Sequence, residues 1–222
     1  HERTYQAWYG VPQIAIEGTE SEILDWANSS GEYGYGTDLT RIADLIERRE
    51  QHNFYRYEDE VDDYRQDHHQ LHLDQEWRDW DLGLTAHYTA GSGYYEQYKP
   101  DAELSLYGVT DLVIGDSVIA RGDVIRRRWL DNAYKGVALN AHRSWDRISM
   151  NWGGGAFNYE GAHFGVPIWM QYAGESQLGA EYYSNVGSKT DRYVFAGFTQ
   201  DWGGGRMRTQ LELQGRQVVY SI

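Results

Sequence analysis

Hydrophobic and polar positions alternate with a period of two along much of this chain. From Arg206 to Gln214, one side carries Arg206, Arg208, Gln210, Glu212 and Gln214, and the other Met207, Thr209, Leu211 and Leu213. That is the signature of a strand with one wet and one apolar face. Between Asp81 and Tyr88, the set Leu82, Leu84, Ala86 and Tyr88 opposes Asp81, Gly83, Thr85 and His87. From His69 to Trp77, His69, Leu71, Leu73, Gln75 and Trp77 oppose Gln70, His72, Asp74 and Glu76. Weaker strands are expected over Ile125–Arg143, over Arg147–Tyr159 with a break at Gly153–Gly155, and over Thr190–Asp201; a short first one covers Arg3–Trp8. The pattern predicts about seven strands, several a dozen residues or longer. Twelve residues at about 3.3 Å each span roughly 40 Å, which is long for a globular strand and normal for a tilted barrel wall.

The connections sort into two kinds. Short polar turns centre on Arg78–Asp79, Ser144–Trp145–Asp146 and Gly203–Gly205, whereas long, aromatic-rich connections run from Gly10 to Tyr57, Gly91 to Asp123 and Gly161 to Ser188. A transmembrane β-barrel has that alternation, because short turns close its periplasmic end and long loops face outside. The first long connection contains two helical patterns, Glu20–Ala27 and Leu39–Arg49, the second with a candidate cap at Thr37 or Asp38. The expected fold is therefore all-β: an antiparallel up-and-down meander, with helices confined to the first long loop. Leu71, Leu73, Leu82, Leu84, Leu211 and Leu213 are expected on its convex face, and His72, Asp74, Arg208 and Glu212 on the concave one.

Composition refines this picture. Mean hydropathy is -0.73, and no run approaches the roughly 18 apolar residues of a membrane helix. A barrel turns only every second strand residue to lipid, so a low mean is compatible with one. The chain has 19 Tyr and 9 Trp, and Trp77, Trp80, Trp145, Trp152 and Trp202 all fall beside the short turns. An aromatic girdle would lie there. A net charge of -14 argues against a nucleic-acid partner, whose phosphates need a basic face. The absence of cysteine excludes thiolate metal sites and disulfides.

No catalytic chemistry is expected, since no nucleophile elbow, HExxH motif or phosphate loop is present. His68, His69 and His72 lie near Asp67 and Asp74, but on a strand His69 points away from the other two, and no metal site or cofactor is expected. The acidic, tyrosine-rich run Tyr55–Tyr64 reads as a polar loop base. Arg126–Arg128 is the one dense basic cluster; it either pairs with acidic loops or anionic lipid, or contacts an anionic ferric chelate.

Several phrases, in order, carry a resemblance. They are Arg3–Pro12, Tyr57–His68, Gln70–Leu73, Ala86–Lys99, Val124–Asn132 and Gly161–Gly165. Together they resemble the middle of the barrel of Bacteroidetes-type TonB-dependent outer-membrane receptors, and the likeness covers nearly the whole chain. It implies part of a 22-stranded transmembrane barrel in the outer membrane of a Gram-negative bacterium. Such receptors are plugged by an N-terminal domain and take up ferric siderophores, cobalamin, haem or glycans with energy relayed by TonB. The expected partners are outer-membrane lipid, a bulky extracellular nutrient such as a ferric chelate, and TonB only through the plug. Residues 1–222 contain no plug, no TonB-interacting segment and no final strand ending in an aromatic. An internal section of the barrel domain is therefore expected, one that transports nothing alone. Tyr94, Tyr95, Tyr98, His163, Phe164 and Trp169 are the expected ligand contacts, because aromatic loop residues offer broad apolar area with polar tips. The competing expectation is a soluble carbohydrate-binding or carbohydrate-cleaving β-protein, which would bury its apolar positions between two sheets.

Overall fold

The computed structural model describes residues 1–5, 11–29, 39–52, 57–109, 112–173 and 178–222. It is mostly antiparallel β, with 67% strand and 16% helix. In chain order the strands are β1 (Glu2–Tyr5), β2 (Val61–Trp77), β3 (Trp80–Glu103), β4 (Val113–Ile114), β5 (Ser117–Val118), β6 (Arg121–Trp145), β7 (Ile148–Met170), β8 (Tyr183–Trp202) and β9 (Met207–Ser221). Seven of them form one sheet in the order β1-β2-β3-β6-β7-β8-β9, while β4 and β5 make a small separate hairpin. With that hairpin set aside, every strand pairs with its neighbour along the chain, as the alternation predicts.

The strands are longer than the periodicity suggested: β2, β3 and β6 to β9 run from 15 to 25 residues. Three differences from expectation stand out. First, β3 extends well into the second long connection, and β7 and β8 into the third, where polar and aromatic residues occupy both faces and erase the period. Second, the middle turn sits at Asp146–Arg147 rather than on Ser144 and Trp145, with Asp146 in the left-handed region at φ 42. Third, β7 runs unbroken through Gly153–Gly155. Those glycines make room for rings: a Cβ on Gly155 would lie 2.7 Å from Phe157 and 2.8 Å from Tyr193, and one on Gly153 2.9 Å from Phe195. The Arg3–Trp8 strand is seen as far as Tyr5; Gln6–Trp8, Thr37, Asp38 and Tyr55 lie outside the described residues.

The chain divides into two compact units. One comprises His1–Tyr64, Tyr94–Arg128 and Phe164–Tyr183; the other comprises Arg65–Gly93, Trp129–His163 and Ser184–Ile222. The long connections thus collect in the first unit and the three tight turns in the second.

The first unit holds two small apolar cores. Helices α1 (Gln13–Glu17), α2 (Glu20–Ser29) and α3 (Leu39–Arg48) bury Ala15, Ile23, Ala27, Ile42 and Leu45 against one another. A capping box starts α2: Thr19 N–H donates to the Glu22 carboxylate at 2.8 Å, and Glu22 N–H to Thr19 Oγ1 at 3.4 Å. The Thr19 N–H bond, joined by one that the Thr19 hydroxyl donates to the same carboxylate at 2.8 Å, holds the Glu22 carboxyl below its ordinary range. The second core packs Leu104, Tyr107, Val109, Val124 and Met170 around a 3-10 turn at Leu104–Tyr107.

The second unit is a different kind of object, because Ala141 is its only buried apolar side chain among the described residues. Its sheet presents two unlike faces. On one, His72 reaches Thr85 at 3.1 Å and His68 reaches Thr89 at 2.8 Å. Rings continue across that face from His87 to Tyr134, Phe157 and Tyr193 at centroid spacings of 5.3, 5.7 and 6.2 Å. Tyr193 and Phe195 stand opposite Arg216 and Gln214, and the same register adds Glu212 and Arg208; alternation along β2 adds Asp74. On the other face His69 stacks on Tyr88 at 6.2 Å, so Leu71, Leu73, Leu82 and Leu84 lie there. Val194, Ala196 and Phe198 oppose Gly215, Leu213 and Leu211 on that side. The expected partition of leucines from charged residues therefore holds. Trp80 meets Trp145 and Trp152 edge-on at 6.0 and 6.3 Å near the turns, with Arg143 4.4 Å over Trp145 and bonded to Asp79 at 2.6 Å.

Candidate functional site

In the first unit, β3 and β6 bring together the tyrosine-rich stretch Tyr94–Tyr98 and the cluster Arg126–Arg128. Alternation sorts their side chains onto two faces. On one, the Glu96 carboxylate, 3% exposed, accepts from Tyr57 Oη at 2.6 Å and from Arg127 Nε at 2.8 Å. The Arg127 guanidinium also lies 4.2 Å above the Tyr94 ring, a cation–π contact. Tyr98 belongs to this face: its hydroxyl donates to Asp123, and its backbone N–H donates to the buried Glu60 at 3.0 Å. Burial, aided by the Glu96 hydrogen bond and charge, pushes the Tyr57 phenol far above its usual value.

On the opposite face Arg128 donates to Tyr95 Oη at 2.7 Å and to Tyr183 Oη at 2.8 Å. Arg126 donates to Gln97 at 2.9 Å and to Tyr107 Oη at 3.1 Å. Tyr182 packs on Tyr107 at 4.8 Å and on Tyr183 at 4.9 Å. Two donors here are buried with no hydrogen-bond partner among the described residues, Arg126 Nε and the Tyr182 hydroxyl. Burial pushes the Tyr182 phenol up to about 12, although the Arg126 charge opposes it; it therefore stays a neutral donor. Unmet buried donors beside a guanidinium suit an oxygen-rich or anionic acceptor.

Of the six expected ligand contacts, three fall in this cluster and three do not. Tyr94, Tyr95 and Tyr98 are held by Arg127, Arg128 and Asp123, and all three lie on β3 rather than on a loop. His163 and Trp169 are exposed on β7, with Phe164 partly buried beside His163. Periodicity did not point to Glu96, Tyr57, Tyr107, Tyr182 or Tyr183. The available signal was a single carboxylate set among three tyrosines, opposite three consecutive arginines.

Among the described residues no cluster of His, Asp and Glu could hold a metal ion. His68 and His72 make hydrogen bonds to threonines on the face away from His69. No helix among the described residues is long and apolar enough to cross a membrane, which leaves strand-borne crossing untouched. Compared with known proteins, the chain matches no family model, no curated protein and no solved structure.

Proposed function

We propose that this chain is a section of the wall of an outer-membrane β-barrel, of the TonB-dependent receptor kind, that serves uptake of a bulky nutrient such as a ferric chelate. The observation that carries the membrane reading is the apolar face of the second unit. Leu71, Leu73, Val137, Leu139, Trp152, Val194, Leu211 and Leu213 are each 47% to 66% exposed on it. At roughly 100 Å² apiece they present about 800 Å², more than the largest apolar patch of a typical soluble monomer. Moving that area from water to lipid is worth about 20 kcal/mol at 25 cal/mol per Å². A soluble sandwich needs a second sheet over this face, and the β4–β5 hairpin, with two residues per strand, is far too small. Tryptophans beside the turns fit one interface of a bilayer, and the edge strands β1 and β9 fit continuation by further strands of a closed wall.

The receptor part of the proposal rests on the ordered sequence phrases and on the donor-rich arginine–tyrosine cluster. That cluster sits in the unit that gathers the long connections. Uptake would belong to the whole receptor.

The membrane reading is tested by solubility. Refolded from urea, the chain is expected to remain monomeric only with detergent or lipid present. Recovery without either, as a monomer that unfolds cooperatively, would reject the proposal in favour of the carbohydrate-binding alternative.

A further inference from the structure

The apolar face of the second unit is not smooth. A furrow of about 790 Å³ crosses it, lined by Val137, Leu139, Trp152, Gly154, Ala156 and Val194 among others. Its floor is low because Gly154 and Gly215 carry no side chain and Ala156 carries only a methyl. The volume falls within the range of small-molecule sites. A second hollow of about 480 Å³ shares Val137, Ala156 and Arg192 with the first and adds Lys135, Asn158 and Thr190. Asn158 donates to Thr190 at 3.4 Å, so a polar, cationic rim adjoins an apolar trough.

The two cations of that rim are unusual in a chain of net charge -14. Lys135 and Arg192 are exposed, and neither makes an ion pair among the described residues. Both sit at one level: Lys135 is ten residues from Trp145 along β6, and Arg192 ten residues from Trp202 along β8. Ten residues cover roughly 33 Å of strand, or about 23 Å of height at a 45° tilt. The apolar band of an outer-membrane barrel is about 25 Å tall. With the tryptophans at one rim, Lys135 and Arg192 lie at the other, where head groups are.

We propose that this furrow is a docking site for a membrane lipid with a phosphate head group. One acyl chain would lie along Leu139, Gly154 and Val194, with the phosphate between Lys135 and Arg192. The inference rests on the membrane reading, because the face must meet lipid. An apolar trough ending at paired cations matches an amphiphile with an anionic head, and a zwitterionic head offers the cations less.

The test is native mass spectrometry of the full chain in neutral detergent micelles, titrated with phosphatidylglycerol or with phosphatidylcholine of the same chains. Phosphatidylglycerol is expected to be retained in preference. The double variant Lys135→Gln/Arg192→Gln should lose about twenty-five-fold in that retention, counting about fivefold for each basic residue near an anionic surface. Inorganic phosphate alone should not compete, whereas Ala156→Phe, which fills the trough, should weaken both lipids. Equal retention by the double variant, in a chain that still requires detergent, overturns the site and leaves the membrane reading standing. A chain that stays monomeric without detergent overturns both.

Discussion

Leu139 gives the sharpest single perturbation. It is 54% exposed on the apolar face and lies six residues from Trp145 along β6. Six residues correspond to roughly 20 Å of strand, or about 14 Å of height at a 45° tilt, close to the middle of a 25 Å apolar band. In water, arginine at a half-exposed leucine would change stability by about 0.5 kcal/mol or less. Facing hydrocarbon at mid-depth, it should cost about 2–4 kcal/mol. The two surroundings are thus separated by more than 1 kcal/mol for the same substitution. Gln214→Arg is the control, since Gln214 is exposed on the opposite face, across from Phe195, and should change stability by less than about 1 kcal/mol. Both variants would be unfolded with urea in phospholipid bicelles and followed by tryptophan fluorescence. A loss of less than about 1 kcal/mol for Leu139→Arg, or equal losses for the two variants, would refute the lipid-facing assignment.

Two further outcomes concern the first unit. Arg127→Met removes the cation from buried Glu96; breaking a buried pair costs about 3–5 kcal/mol, and the one-third exposure of Arg127 reduces this to about 2 kcal/mol. Faster amide hydrogen exchange around Tyr57–Val61 and Tyr94–Tyr98 should report it, and unchanged exchange would remove Glu96 from its structural role. Burial holds the His52 imidazole below its ordinary value despite the Asp44 carboxylate 2.6 Å away. The unfolded chain therefore takes up a proton first, and the stability His52 contributes, complete above about pH 6.5, is lost as pH falls. Protection of the α3 amides, taken relative to the intrinsic exchange rate at each pH, should fall between pH 7 and 5, less so in His52→Gln; rising protection on acidification would contradict this sign.

The pleat made the sheet legible in sequence. A strand with one wet and one apolar face must alternate, so β2, β9 and the turn-proximal part of β3, with their neighbour-to-neighbour pairing, could be read from Leu71, Leu84 and Leu213 alone. What could not be read is instructive. Gly153–Gly155 looked like a break because glycine weakens isolated strands, yet here Phe157, Tyr193 and Phe195 fill the vacated space from the same and neighbouring strands. The part of β3 beyond Gly91 was hidden because Tyr94–Lys99 place polar groups on both faces, whereas Arg126–Arg128 already lay inside the strand expected over Ile125–Arg143. Glu96 was invisible for a related reason. Its burial depends on Arg127, 31 positions away, and on Tyr57, 39 positions away, and local pattern does not register such pairings. Of the candidate site, the arginines and three tyrosines were recognisable as residue types; their partners were not.

The central claim, that one face of the second unit meets lipid and the other water, is open to one direct measurement. The chain has no cysteine, so a single introduced cysteine can carry a spin label without a background. Labels scanned along β9 from Met207 to Val219 in phospholipid bicelles would be read for collision with oxygen and with a water-soluble nickel chelate. Labels at Met207, Thr209, Leu211, Leu213 and Val219 should favour oxygen, and those at Arg208, Gln210, Glu212 and Gln214 the nickel chelate, in strict alternation. Nickel access at Leu211 and Leu213 equal to that at Gln210 and Glu212, or exclusion of both reagents from the leucine face, would contradict the account.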